Sequence, residues 1–232
     1  MTPKLLQLIS TTIPQLDGWC SVEKACDLAD VILKLKAEVT VEIGVFGARS
    51  LIPMAMAHAE QDRGIIIGID AWDASTSADG ETKENAEWWA KVDHEEIYQK
   101  ALAHIKRLDL EKYVKLIRAK SDDVEPPAII DLLHVDGSHT IQAMKDVERF
   151  GPHVREGGIV FLDDIHWAGG GVEKAMEKLL SMGFRHLSSR DTGGFFEKVP
   201  ASKPVVPPAA VVPDKPKAPR KPHTAKSTAS KK

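Results

Sequence analysis

The chain has 232 residues, of which 43% are hydrophobic and 28% charged, a composition that fits one soluble globular domain with a sizeable core plus accessories. No apolar run approaches the ~20 residues that a membrane span needs, and residues 1–17 hold one lysine and no adequate apolar stretch, so no signal peptide is expected. The net charge of −3 is unevenly split: residues 200–232 carry eight Lys or Arg and one acid, which leaves about −10 on the remainder. An acidic body argues against general nucleic-acid binding and confines any such contact to weak attraction through the basic tail.

Residues 5–13 read as a short helix ended by Pro14, followed by an Asp17-Gly18 turn. Ser21 is placed to cap a helix over 22–36, in which Val22, Ala25, Cys26, Ala29, Ile32 and Leu33 recur at helical spacing. Cys20 and Cys26 are the only cysteines, at a spacing that suits neither a zinc site nor a redox pair. Without an export signal, reduced thiols and a cytoplasmic location are favoured over a disulfide.

Residues 39–50, Val-Thr-Val-Glu-Ile-Gly-Val-Phe-Gly-Ala-Arg-Ser, organise the rest. The β-branched first half is a buried strand, Gly44 and Gly47 break the pattern, and a helix starts near Ser50, a candidate N-cap. A strand that passes through a glycine turn into a helix lets backbone N–H groups approach a ligand. Glu42 just before the turn would repel a pyrophosphate and attract an ammonium group, and Gly-x-Gly-x-x-Gly is not met. A second strand, 64–70, ends in Asp70 at about the distance that suits ribose hydroxyls. As a strand-end residue, Asp70 is expected to be dispensable for folding.

Residues 71–80 read as a mobile loop and 81–108 as one charged amphipathic helix. Trp88 and Trp89 are adjacent in it and cannot both face one core, so one is exposed or covered by another element, either by packing on the N-terminal helix or as a lid. A third strand covers 112–119, ending at Lys120-Ser121-Asp122-Asp123, a fourth 128–136 and a fifth 157–163, with helices over 141–150 and 172–182. Residues 184–199 form two extended runs around Asp191-Thr192-Gly193-Gly194, a hairpin signal. The stretch beyond, with eight prolines and no aromatics, reads as a disordered tail. Alternating strands and helices imply a mostly parallel α/β sheet covered on both faces, with ligands at the carboxyl ends of its strands.

Two such ends carry His134-Val135-Asp136-Gly137-Ser138-His139 and Phe161-Leu162-Asp163-Asp164-Ile165-His166-Trp167. If these strands are neighbours, Asp136, Asp163 and Asp164 converge, and three carboxylates together call for a cation such as Mg²⁺, Mn²⁺ or Ca²⁺. The alternative assigns each aspartate to a turn or a helix cap.

Together, Glu42-x-Gly44, Asp70, Asp136-Gly-Ser-His139 and Gly157-Gly158-x-x-x-x-Asp163-Asp164 resemble the class I S-adenosylmethionine-dependent methyltransferases, most of all the metal-dependent O-methyltransferases of macrolide and related sugars (macrocin and rhamnosyl type). The resemblance spans about 22–199, with 1–21 as an N-terminal extension and 200–232 as the tail. It implies a Rossmann-like seven-stranded sheet ending in an antiparallel hairpin. It further implies that Glu42, Gly44 and Gly47 approach the methionine part of the cofactor and that Ser50 contacts its carboxylate. Asp70 would hold the ribose, Ser121 and Asp122 would lie at the adenine, and Asp136 would adjoin the cofactor. Asp136, Asp163 and Asp164 would bind Mg²⁺ or Mn²⁺, His139 would be the base, and His166 is the alternative base or a partner of Asp163 or Asp164. One departure is Ala48, where related sequences carry the second glycine.

The activity implied is methyl transfer from S-adenosylmethionine to a hydroxyl of a small molecule or glycoside, assisted by a divalent metal. No membrane partner is implied, and a homo-oligomer is left open. Two other readings stand beside it: a nicotinamide-dependent oxidoreductase, disfavoured by Glu42 and the missing glycine pattern, and a non-catalytic nucleotide-binding module with a basic interaction tail.

Overall fold

The structure, a computed structural model, describes residues 1–200, and all but the first residue of the expected tail lie outside the described residues. Seven strands form one sheet: β1 (Val39–Ile43), β2 (Ile65–Asp70), β3 (Val114–Arg118), β4 (Ile130–Val135), β5 (Val154–Leu162), β6 (Phe184–Arg190) and β7 (Gly193–Lys198). Their order is β3-β2-β1-β4-β5-β7-β6. The first five are parallel, and β7 runs antiparallel between β5 and β6. This is the seven-stranded, Rossmann-like arrangement with a terminal hairpin that the sequence implies.

Strand alternation divides the core. Val41, Ile43, Leu133, Val135, Val160 and Leu162 face α7 (Ile141–Phe150) and α8 (Gly171–Ser181). On the other face Ile66, Leu132, Ile159 and Phe161 pack against α1 (Pro3–Thr12), α2 (Val22–Leu35) and α3 (Leu51–Glu60). Residues 1–21 are part of this core, since Leu5, Ile9, Ile13, Leu16 and Cys20 are all buried in it. Cys20 and Cys26 are free. Among the described residues, no helix is long and apolar enough to cross a membrane.

Three local expectations are corrected. Residues 71–80 contain a short helix, α4 (Ala74–Ser77), because the Asp73 carboxylate accepts the Thr76 N–H at 2.8 Å and caps it. The single helix expected over 81–108 is two, α5 (Lys83–Trp89) and α6 (His94–Arg107), because Asp93 leaves helical geometry and caps α6 by accepting the Glu96 N–H at 2.9 Å. Ser50 does not cap α3 with its side chain; its hydroxyl goes to Glu42 instead.

β1 lies between β2 and β4, and the chain reverses its winding direction there. At such a switch point the connections leave in opposite directions and open a crevice beyond the strand ends, where ligands bind in sheets of this kind.

Candidate active site

The turn after β1 is held from two sides. Gly44 has φ +87°, and a Cβ there would lie 2.3 Å from the Asp136 carbonyl oxygen, so the β1 and β4 ends meet backbone to backbone. Asp70 fastens the same turn to the end of β2. Its Oδ2 accepts the Val45 and Phe46 N–H groups at 2.9 Å each, and its Oδ1 accepts the Trp72 N–H at 2.7 Å. Asp70 is therefore an anchor of the turn. Asp70→Ala should lower the unfolding free energy by roughly 1.5–3 kcal/mol, the range for hydrogen bonds to charged groups. Urea denaturation measures this, and an unchanged midpoint would remove Asp70 as the anchor. Ala48 has φ +62°, a left-handed conformation that glycine adopts more readily, so the departure noted in the sequence falls at a strained position. Gly47 is needed for close packing: a Cβ there would meet the Asp17 carbonyl oxygen at 2.5 Å.

Above this turn four aromatic rings gather. Trp19 and Phe46 stack at 5.2 Å, and both Trp88 and Trp89 of α5 approach them, with centroid separations from 5.4 to 6.5 Å. The adjacent tryptophans thus share one cluster at the end of α5, covered by the segment that links α1 to α2.

Beneath the turn lies a buried polar cluster. Glu42 and His134 are register partners on β1 and β4, so their side chains share a face. His134 Nδ1 lies 2.8 Å from Glu42 Oε1, which also accepts the Ser50 hydroxyl at 2.5 Å. Glu42 Oε2 and His134 Nε2 are buried without a hydrogen-bond partner. His134 Nε2 stands 3.7 Å from Asp163 and 3.8 Å from Asp136, ion-pair distances beyond hydrogen bonding. Burial opposes the imidazolium of His134, but the Asp163 and Glu42 carboxylates outweigh it and push its pKa up to about 9. Lys24, reaching in from the first turn of α2, pairs with Asp163 Oδ2. Against the cost of burial, His134 and Lys24 hold Asp163 well below the usual carboxylate range. Asp136 is pushed up, first by burial and then by the charge of Asp163.

Asp164 does not join this cluster. Its φ of +47° turns it the other way, and its Oδ2 lies 3.1 Å from His139 Nε2. His139 Nδ1 is 3.4 Å from Glu81, and the ring stacks on Trp167 at a centroid distance of 4.2 Å. Burial disfavours the charged ring, yet hydrogen bonding to Asp164 and Glu81 prevails and raises its pKa to about 10. A cavity of about 350 Å³ opens beside it, lined in part by Glu81, His139, Trp167 and Lys174.

A divalent ion does not fit this set as it stands. His134, Asp136 and Asp163 each offer an atom within 4.8 Å of the others. Asp163, however, already spends Oδ2 on Lys24, while its Oδ1 takes the Asp164 N–H at 3.1 Å. The three aspartates expected to converge are split between two clusters.

The other sequence candidates divide similarly. His166 is exposed and faces Glu173 of α8 at 3.4 Å, away from Asp163 and Asp164, because the turn after β5 carries it outward. Ser121 is buried and donates to Asp146 at 2.6 Å, so its hydroxyl is committed inside the fold. Asp122, beside it, is exposed at the end of β3 and accepts from Gln142 at 3.0 Å.

Sequence reasoning missed Lys24, Glu81 and His134. Lys24 had a signal: it sits four residues before Leu28, itself four before Ile32, a lysine within the apolar stripe of α2. His134 also had one, as a basic residue inside a strand buried along its length.

The open doubly wound sheet, with buried polar groups at its switch point, defines an α/β domain of the cofactor-binding kind. A family described as a methyltransferase domain matches residues 41–165, and the chain belongs to that family. Solved structures agree on the fold. TomG from Streptomyces achromogenes, an O-methyltransferase involved in tomaymycin synthesis and solved with SAM, is 14% identical with a TM-score of 0.57, covering 86% of this chain and 91% of that one. An O-methyltransferase from Bacillus cereus in complex with SAH is 14% identical with a TM-score of 0.56, covering 86% and 92%. The SAH-bound methyltransferase PaMTH1 of Podospora anserina is 11% identical with a TM-score of 0.59, covering 86% and 89%. No curated protein matches the sequence significantly.

Proposed function

We propose that the chain transfers the methyl group of S-adenosylmethionine to a hydroxyl oxygen of a small molecule or glycoside. The observation that carries this reading is His139, a histidine held between Asp164 and Glu81 at the mouth of a cavity beside the switch point. Transfer to oxygen requires removal of a proton from a weakly acidic hydroxyl, and a positioned histidine supplies that.

The chain's own groups suit the cofactor. Glu42 Oε2, buried and unpartnered, is an acceptor for an ammonium hydrogen, and Gly44 lets the ends of β1 and β4 close up beside it. Ser50 would contact the cofactor carboxylate through its hydroxyl, Asp70 would offer its remaining lone pairs to the ribose, and Asp122, exposed beyond β3, would lie at the adenine. S-adenosylmethionine, when bound, supplies an electrophilic methyl group and leaves as a neutral thioether. The cavity beside His139 orients the acceptor, Trp167 offers it an apolar wall, and His139 takes the hydroxyl proton. No step passes through a divalent ion.

Isothermal titration with S-adenosylmethionine and with NADH separates this reading from an oxidoreductase and from a passive binding module. Saturable binding of the first alone, followed by methyl-labelled product from cell extract, is the expected result. Binding of NADH without S-adenosylmethionine would overturn it.

A further inference from the structure

The resemblance to metal-dependent enzymes demands a cation among the strand-end carboxylates, and the structure already contains one. Lys24 and Asp163 form an ion pair whose side chains are 5% and 2% exposed. Lys24 is not a surface residue that has folded inward by chance. The Ser21 hydroxyl, which caps α2 by accepting the Lys24 N–H at 2.9 Å, donates to Asp191 in the β6–β7 turn at 2.6 Å. One helical turn further on, Asp27 pairs with Arg190 at 2.5 Å. The first turn of α2 is thereby tied to the hairpin on both sides of Lys24, and the lysine is aimed at the ends of β4 and β5.

We propose that Lys24 is the resident cation of this cluster, occupying by its ammonium the charge-neutralising role that a divalent ion would play between Asp136 and Asp163. The consequence is competition. An ion could reach Asp163 Oδ2 only by displacing Lys24, which would leave a buried ammonium stripped of its hydrogen-bonded partner and facing a second cation, a strongly unfavourable state. Asp164 gives no compensation, since it is turned to His139. Removing the lysine shifts the balance: Asp136 and Asp163 are then two oxygen ligands facing one remaining cationic group, the His134 ring, whose Nε2 becomes a third ligand for Mg²⁺ or Mn²⁺ once it gives up its proton.

The test titrates Mn²⁺ into the metal-stripped full chain and reads free Mn²⁺ by electron paramagnetic resonance. Methyl transfer is not measured, so the outcome is independent of whether the acceptor is a hydroxyl. Lys24→Met should bind Mn²⁺ at least ~10-fold more tightly than wild type, a difference of about 1.4 kcal/mol, and its melting temperature should rise with Mn²⁺ while that of wild type stays fixed. Lys24→Arg, which keeps the charge, should bind as weakly as wild type. Equal Mn²⁺ affinity in wild type and Lys24→Met would overturn the proposal. Should Lys24→Met not fold without metal, recovery of folded protein in Mn²⁺ supports it, and failure to recover there overturns it.

Discussion

Gly44→Ala is expected to destabilise the protein by roughly 2–5 kcal/mol, from left-handed strain of about 1–2 kcal/mol and overpacking of about 1–3 kcal/mol. An alanine Cβ would stand 2.3 Å from the Asp136 carbonyl oxygen and 2.4 Å from the Gly137 Cα, contacts with backbone that no rotamer change relieves. Neither segment is free to retreat. The Gly44 N–H donates to the Ile69 carbonyl and the Asp136 N–H to the Ile43 carbonyl, both at 2.9 Å. Against a typical total stability of about 5–15 kcal/mol, a loss of this size removes much of the folded population. Gly183→Ala supplies the control. Its φ of +86° nearly equals the +87° of Gly44, yet a Cβ there meets nothing within 4 Å. The difference between the two variants in urea denaturation isolates the steric part. If Gly44→Ala loses no more than Gly183→Ala, the strand ends are not in the close contact described.

The fold was legible wherever one stretch of sequence carries its own pattern. The β-branched run into Gly44, the Ile-rich β2, the apolar run of β4 and the Asp191-Thr192-Gly193-Gly194 turn each declare themselves locally, and each strand was found. The break between α5 and α6 was missed because charged amphipathic sequence continues across it, and only the cap at Asp93 marks the boundary. The site was legible as a set of residues but not as a set of partners. Glu42 meets His134 across 92 positions and Lys24 meets Asp163 across 139. Those meetings follow from the order β1-β4-β5 and from where the hairpin fixes α2, neither of which is written in any single segment. Asp163 and Asp164, adjacent in sequence, serve different clusters because one left-handed residue separates their directions.

His139→Ala is expected to slow methyl transfer by about 10²–10⁴-fold, the usual contribution of a positioned acid–base group, and the pH profile should identify the cause. Hydrogen bonding to Asp164 and Glu81 outweighs burial and raises the His139 pKa to about 10, so near neutral pH the ring is an imidazolium and cannot accept a proton. The reactive neutral form grows as pH rises, and the wild-type rate should climb from pH ~7 and level off near the raised pKa. His139→Ala should lack the plateau, and its deficit should shrink only above about pH 10, where the wild-type rate is level and the acceptor hydroxyl goes on ionising unaided. Stability runs the opposite way. A folded-state pKa above the unfolded value of ~6.5 stabilises the protein fully below ~6.5, and this contribution is lost as pH rises to about 10. His139→Ala should therefore flatten the pH dependence of stability over that window. Asp164→Asn keeps the ring in place while removing one of the charges that hold its proton, so the rising limb should move to lower pH. A wild-type rate that is flat from pH 7 to 10, once an acceptor is in hand, would exclude His139 as the base and leave Asp164, its partner at 3.1 Å, as the nearest candidate.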